Sequence, residues 1–76
     1  MKGTIAMIMK NVSSSNIKAI GYDDTNAILY ITFLGNRTYK YLEIPQSVYQ
    51  DLMKAESKGK YFHAYIKDKY KFNELT

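Results

Sequence analysis

Seventy-six residues without a cysteine make one small domain whose core must come from packing alone, because no disulfide or thiolate metal site can staple it. The net charge of +4 sits entirely in residues 54–71, where six Lys (Lys54, Lys58, Lys60, Lys67, Lys69, Lys71) face only Glu56 and Asp68. No stretch reaches the ~18 apolar residues of a membrane helix, so a membrane-spanning protein is not expected and a cytoplasmic location is.

Residues 1–10, MKGTIAMIMK, read as an N-terminal extension, with Met7 and Met9 as alternative starts, and residues 11–76 as the single domain. Residues 17–22 predict a first strand, followed by a turn cluster of Asp23, Asp24, Thr25 and Asn26. Residues 27–34, AILYITFL, are β-branched and aromatic and predict a second strand. Gly35-Asn36 tolerates positive φ at both positions and predicts a two-residue hairpin loop into a third strand over 37–44. Pro45 stops that strand and suits the first turn of a helix, with Ser47 and Gln50 spaced as a capping box. Val48, Leu52 and Ala55 share one face of this helix, which Ser57-Lys58-Gly59 breaks. A second helix over about 60–69 carries Phe62, Tyr65 and Ile66 on one side, and the closing YKFNEL reads as extended or frayed. The expected fold class is α+β: a small antiparallel three-stranded sheet (β-β-β) followed by two short helices packed on one face.

The hairpin sets which side chains share a face. With Gly35-Asn36 as the loop, Thr32 opposes Tyr39 and Tyr30 opposes Tyr41. Tyr30, Arg37, Tyr39 and Tyr41 then share one face, with Leu29, Ile31, Phe33, Leu42 and Ile44 on the other and Lys40 at an edge. A four-residue loop after the first strand adds Ile20 and Tyr22 to the aliphatic face, the seat for both helices. The tyrosine face is left open and reads as a stacking platform for bases, with Arg37 and Lys40 on phosphates. Its structural counterpart is a set of cross-strand aromatic pairs that stabilise the sheet.

Catalysis finds little footing. His63 is the one histidine, and no nucleophile-elbow motif joins it to Ser13, Ser14 or Ser15 and Asp23 or Asp24. Asp23-Asp24 reads as a turn rather than a cation site, and Gly59-Lys60 lacks the upstream glycine and following Ser/Thr of a phosphate loop. No cofactor, no metal and no enzymatic activity are expected.

Five elements in order then resemble a known family. They are V-S-S at Val12, Ser13 and Ser14; I-x-x-I-G-Y-D from Ile17 to Asp23; Y-x-Y at Tyr39 and Tyr41; I-P-x-x-V-Y from Ile44 to Tyr49; and A-x-S-K-G-K-Y-F from Ala55 to Phe62. Together these resemble the KTSC domain, which occurs at the C-terminus of some lysyl-tRNA synthetases and as small stand-alone bacterial and phage proteins. The resemblance runs from Val12 to about Phe72. It implies an RNA-binding role by association with a tRNA-handling enzyme and carries over no aminoacylation, because no synthetase catalytic domain is present. The resulting expectation is a nucleic-acid-binding module, RNA or single-stranded, using Arg37, Tyr39, Lys40, Tyr41, Lys58, Lys60, Tyr61 and Lys67. The alternatives are a protein-interaction module docking on a larger enzyme or host factor, and a nucleotide pocket built from Ser13, Ser14 and the tyrosines. The oligomeric state is left open.

Overall fold

The computed structural model describes residues 8–75. Most of the expected N-terminal extension, with the Met7 start, therefore lies outside the described residues. Five strands and two helices follow in the order β1 (Lys10–Asn11), β2 (Ile17–Asp23), β3 (Ile28–Phe33), β4 (Thr38–Tyr41), α1 (Gln46–Lys54), α2 (Lys58–Tyr65) and β5 (Phe72–Leu75). The strands form one antiparallel sheet in the order β1-β2-β3-β4-β5. The α+β class and the two helices stand, but the sheet has five strands rather than three. The additions are the edges: a two-residue strand before the expected first one, and the closing segment.

β2 and β3 are joined by the four-residue loop 24–27, which sets Ile20 opposite Ile31 and Tyr22 opposite Leu29. Asp23 builds this loop. Its Oδ1 accepts from the backbone N–H groups of Thr25 and Asn26 at 3.1 and 3.2 Å, and its Oδ2 from Asn26 Nδ2 at 2.8 Å. A carboxylate organising its own turn is a local alternative to a ladder, and here both oxygens are used. A bulge between Ile17 and Ala19 inserts one residue into β2, so that Ile17 and Ile20 both reach the core.

The second hairpin departs from expectation. The Phe33 N–H donates to the Arg37 carbonyl at 2.8 Å and the Asn36 N–H to the Phe33 carbonyl at 3.0 Å, which makes Leu34-Gly35-Asn36 a three-residue loop. Gly35 and Asn36 both take positive φ, +98° and +66°. Ile31 therefore opposes Tyr39 and Leu29 opposes Tyr41, one residue away from the two-residue-loop register. The period of a strand is two, so this slip transfers Tyr39 and Tyr41 to the aliphatic face. The outer face carries Tyr30, Thr32, Thr38 and Lys40 instead, with the Thr32 and Thr38 hydroxyls 2.8 Å apart.

Both helices pack on the aliphatic face. The core is Ile17, Ile20, Leu29, Ile31, Tyr41, Ile44, Leu52, Phe62 and Ile66. Pro45 sits just before α1 as its cap residue with extended backbone, and no side chain caps that end, so the Ser47–Gln50 capping box does not form. Tyr22 braces α1 instead: its ring stacks on Tyr49 with centroids 4.6 Å apart, and its hydroxyl donates to the Ile44 carbonyl at 2.6 Å. α2 begins earlier than the spacing predicts because Ser57 caps it, accepting from the Lys60 N–H at 3.3 Å. Phe62 and Ile66 face the core, whereas Tyr65 is 60% exposed.

Gly59 has a packing reason. A Cβ there would overlap Asn16 Oδ1, in the turn that leads into β2. Ala for Gly in a helix ordinarily gains about 0.5–1 kcal/mol. Gly59→Ala is therefore expected to gain nothing in the parent and to recover that gain in an Asn16→Ala background. Urea unfolding of the double-mutant cycle measures the coupling. Additive effects would show that α2 does not press on this turn.

Candidate functional site

The slip in register that closes the tyrosine platform opens a different site. Where α2 ends, the sheet continues past it through β4 and β5, and a groove of about 410 Å³ lies between them. Five rings form a connected cluster there. Phe62 meets Phe33 edge-on at 5.4 Å and Tyr41 at 5.3 Å; Tyr39 meets Phe33 at 5.7 Å; and Phe72 lies 5.8 Å from Tyr39 and 5.7 Å from Tyr41. The rim carries Asn16, Arg37, His63, Lys67 and Asp68. Tyr41 and Phe62 belong to the core, Tyr39 is half-buried, and Phe72 is 51% exposed.

The rim charges are unevenly committed. Arg37 holds Glu74 of β5 in a bidentate pair, Nε to Oε2 at 2.8 Å and Nη2 to Oε1 at 3.0 Å. That pairing raises the Arg37 pKa and lowers that of Glu74. The Arg37 side chain is 66% exposed and that of Glu74 30%, so the pair is partly solvent-screened, adds little stability and serves mainly to align β5. Lys67 and Asp68 lie outside this ion pair, on consecutive positions of the turn after α2, with Asp68 in the left-handed region at φ +65°. Burial, reinforced by the nearby Asp68 carboxylate and, in the alkaline range where phenols ionise, by Tyr39, pushes the Tyr41 hydroxyl up to about 12. Tyr41 therefore stays neutral and adds no negative charge to the groove floor.

Of the residues singled out from the sequence, Arg37, Tyr39, Tyr41 and Lys67 meet in this one groove. Lys60 lines a shallower recess beside it with Ser15, Ser57 and Gly59; Asn16 and His63 border both. The other three go elsewhere. Lys40 points to the outer face opposite Tyr30, the Lys58 ammonium donates to the Ala55 carbonyl at 3.1 Å, and Tyr61 packs its ring on Tyr65 at 4.7 Å. Sequence reasoning missed Phe33, Phe72, His63 and Asp68 as neighbours of the tyrosines. Among the described residues no group of three or more His, Asp and Glu side chains is placed to hold a metal ion.

Fold and groove together define a small α+β domain with a five-stranded sheet, two helices on one face and an aromatic cleft at the β5 side. The KTSC domain family model matches residues 13–70, and the chain belongs to that family. A crystal structure of a KTSC domain protein from Yersinia pestis superposes with a TM-score of 0.90 at 42% identity, covering 93% of this chain and all of that one. A small protein of Tsukamurella paurometabola is 41% identical over 63 residues, 83% of this chain and 94% of that one. A lysine–tRNA ligase of Nostoc punctiforme is 36% identical over all 76 residues, which amount to 14% of the ligase. Against the ligases the chain thus matches one small segment of a much longer protein. β1 and β5 fall outside the residues that the family model matches.

Proposed function

We propose that this domain is a non-enzymatic module that binds single-stranded nucleic acid, RNA foremost, in the groove between α2, β4 and β5. One observation carries the reading: Tyr39 and Phe72, from two strands, converge with Lys67 on a single concave surface floored by the buried Tyr41. Rings offer a face to any base, and a nearby ammonium offers a phosphate contact. The Lys-rich segment around α2 extends the positive field through Lys60. The similarity to a segment of lysine–tRNA ligases supports RNA as the polymer class.

The test is a fluorescence titration of single-stranded RNA, single-stranded DNA and duplex DNA at several salt concentrations. Binding should favour RNA and weaken with salt. Phe72→Ala should cost about 5- to 150-fold, since a stacked base is worth roughly 1–3 kcal/mol. Lys67→Ala should flatten the salt slope by about 0.7. Tyr30→Ala, on the outer face, should change nothing. No binding at low salt, or equal loss from Tyr30→Ala and Phe72→Ala, would overturn the reading.

A second reading, protein docking, draws on the exposed apolar residues of the edge strand β5, Phe72 and Leu75 at 51% and 41% exposure. A complex that survives nuclease treatment and moderate salt, and is lost on Leu75→Lys, would favour it.

A further inference from the structure

The lip of the groove carries a charge pattern that a general phosphate-binding surface does not need. Lys67 offers a cation and Asp68, the next residue, an anion, both lining the same cleft. An ionised carboxylate only accepts hydrogen bonds and repels phosphate. Any part of a ligand that meets Asp68 must therefore donate. Glu74, the other carboxylate nearby, has both oxygens engaged by Arg37, which leaves Asp68 as the rim carboxylate outside that pair. The floor is aromatic, and the cleft's volume of about 410 Å³ lies at the small end of ligand pockets, so it holds one base with its sugar rather than a stacked run.

We infer that the groove is a single-nucleotide pocket selective for guanine, with Asp68 as the residue that sets the selectivity and Lys67 as the phosphate anchor. The inference rests on the nucleic-acid reading above and narrows it. Guanine presents two adjacent donors, N1–H and the N2 amino group, on its Watson–Crick edge, and a carboxylate accepts both in parallel. Adenine and cytosine place a ring acceptor beside their amino group, which a carboxylate repels. Uracil's single imide N–H lies between two carbonyl oxygens. With the guanine face on the exposed ring of Phe72, from which the Tyr39 ring is tilted by 54°, Asp68 reads the edge and the adjacent Lys67 takes the phosphate. Asp68 lies on the lip after α2 rather than among the core residues, and its left-handed backbone is one that Asn also tolerates, so Asp68→Asn preserves the fold.

The experiment is a titration of the full chain with GMP, AMP, CMP, UMP and guanosine, followed by isothermal calorimetry or amide chemical shifts, alongside a mixed-sequence single-stranded RNA. GMP should bind about tenfold or more tighter than the other mononucleotides, the discrimination expected of a bidentate contact. Asp68→Asn should level the four, with circular dichroism unchanged. Lys67→Ala should weaken GMP while leaving guanosine unaffected. Four equal mononucleotides, or a GMP preference that survives Asp68→Asn, would overturn the guanine assignment. If the RNA still binds and Phe72→Ala still weakens it, only the base selectivity fails. If neither the mononucleotides nor the RNA bind, the groove reading fails with it.

Discussion

Tyr41→Ala is expected to destabilise the domain by about 3–5 kcal/mol, the range for removing a buried aromatic ring. Tyr41 is 5% exposed and its ring meets Phe62 and Phe72. A domain of this size has a total stability of about 4–11 kcal/mol. The variant should therefore lose at least ~12 °C in Tm and stand near the unfolding threshold. Tyr41→Phe keeps the ring and should stay within about 1 kcal/mol of the parent. Urea unfolding of the two variants checks this. A Tyr41→Ala protein with parental stability would mean that the ring lies on an open sheet face, as the two-residue loop requires. The practical consequence is that Tyr41→Ala cannot serve as a binding mutant, whereas Phe72→Ala can.

Asp23→Ala is expected to cost about 1–3 kcal/mol. Asp23 is only 6% exposed and holds Thr25 and Asn26 through three hydrogen bonds. Removing the carboxylate leaves two backbone donors of the exposed loop between β2 and β3 to water and vacates a buried site, and bonds to a charged acceptor are worth more than neutral ones. Asp23→Asn keeps part of the set and should fall between parent and Ala. Thermal unfolding measures both. A loss below about 0.5 kcal/mol for Asp23→Ala would show that backbone contacts alone close this loop.

The central strands and both helices were legible because their cues are local. Runs such as Ile28–Phe33 are β-branched and aromatic, and Pro45 marks where the first helix begins, whereas Ser57, read as a break between the helices, is the cap of the second. The faces of β4 were not. Gly35-Asn36 satisfies a two-residue loop and a three-residue loop equally, since both need positive φ at these positions, and the choice between them moves every β4 side chain to the other face. What decides it is tertiary: Phe62 on α2 and Phe72 on β5 supply the partners that make Tyr41 a core residue. The closing segment read as extended or frayed, but nothing in its pattern marked β5 as a strand paired with β4. All four of its residues are exposed, so an edge strand of this kind shows no alternation of buried and open positions. The candidate site was thus half legible. Arg37, Tyr39, Tyr41 and Lys67 were found as residue types, while the groove that joins them depends on an edge strand and a loop length that periodicity does not encode.

The most direct measurement is the map of amide chemical-shift changes when the isotope-labelled domain is titrated with single-stranded RNA at low salt. The groove account predicts changes concentrated at residues 37, 39 and 41 and along 62–74, with Ala19, Gly21, Tyr30 and Thr32 on the outer face unmoved. Changes centred on Tyr30 and Lys40, or spread evenly over the lysines without the β5 residues, would contradict it.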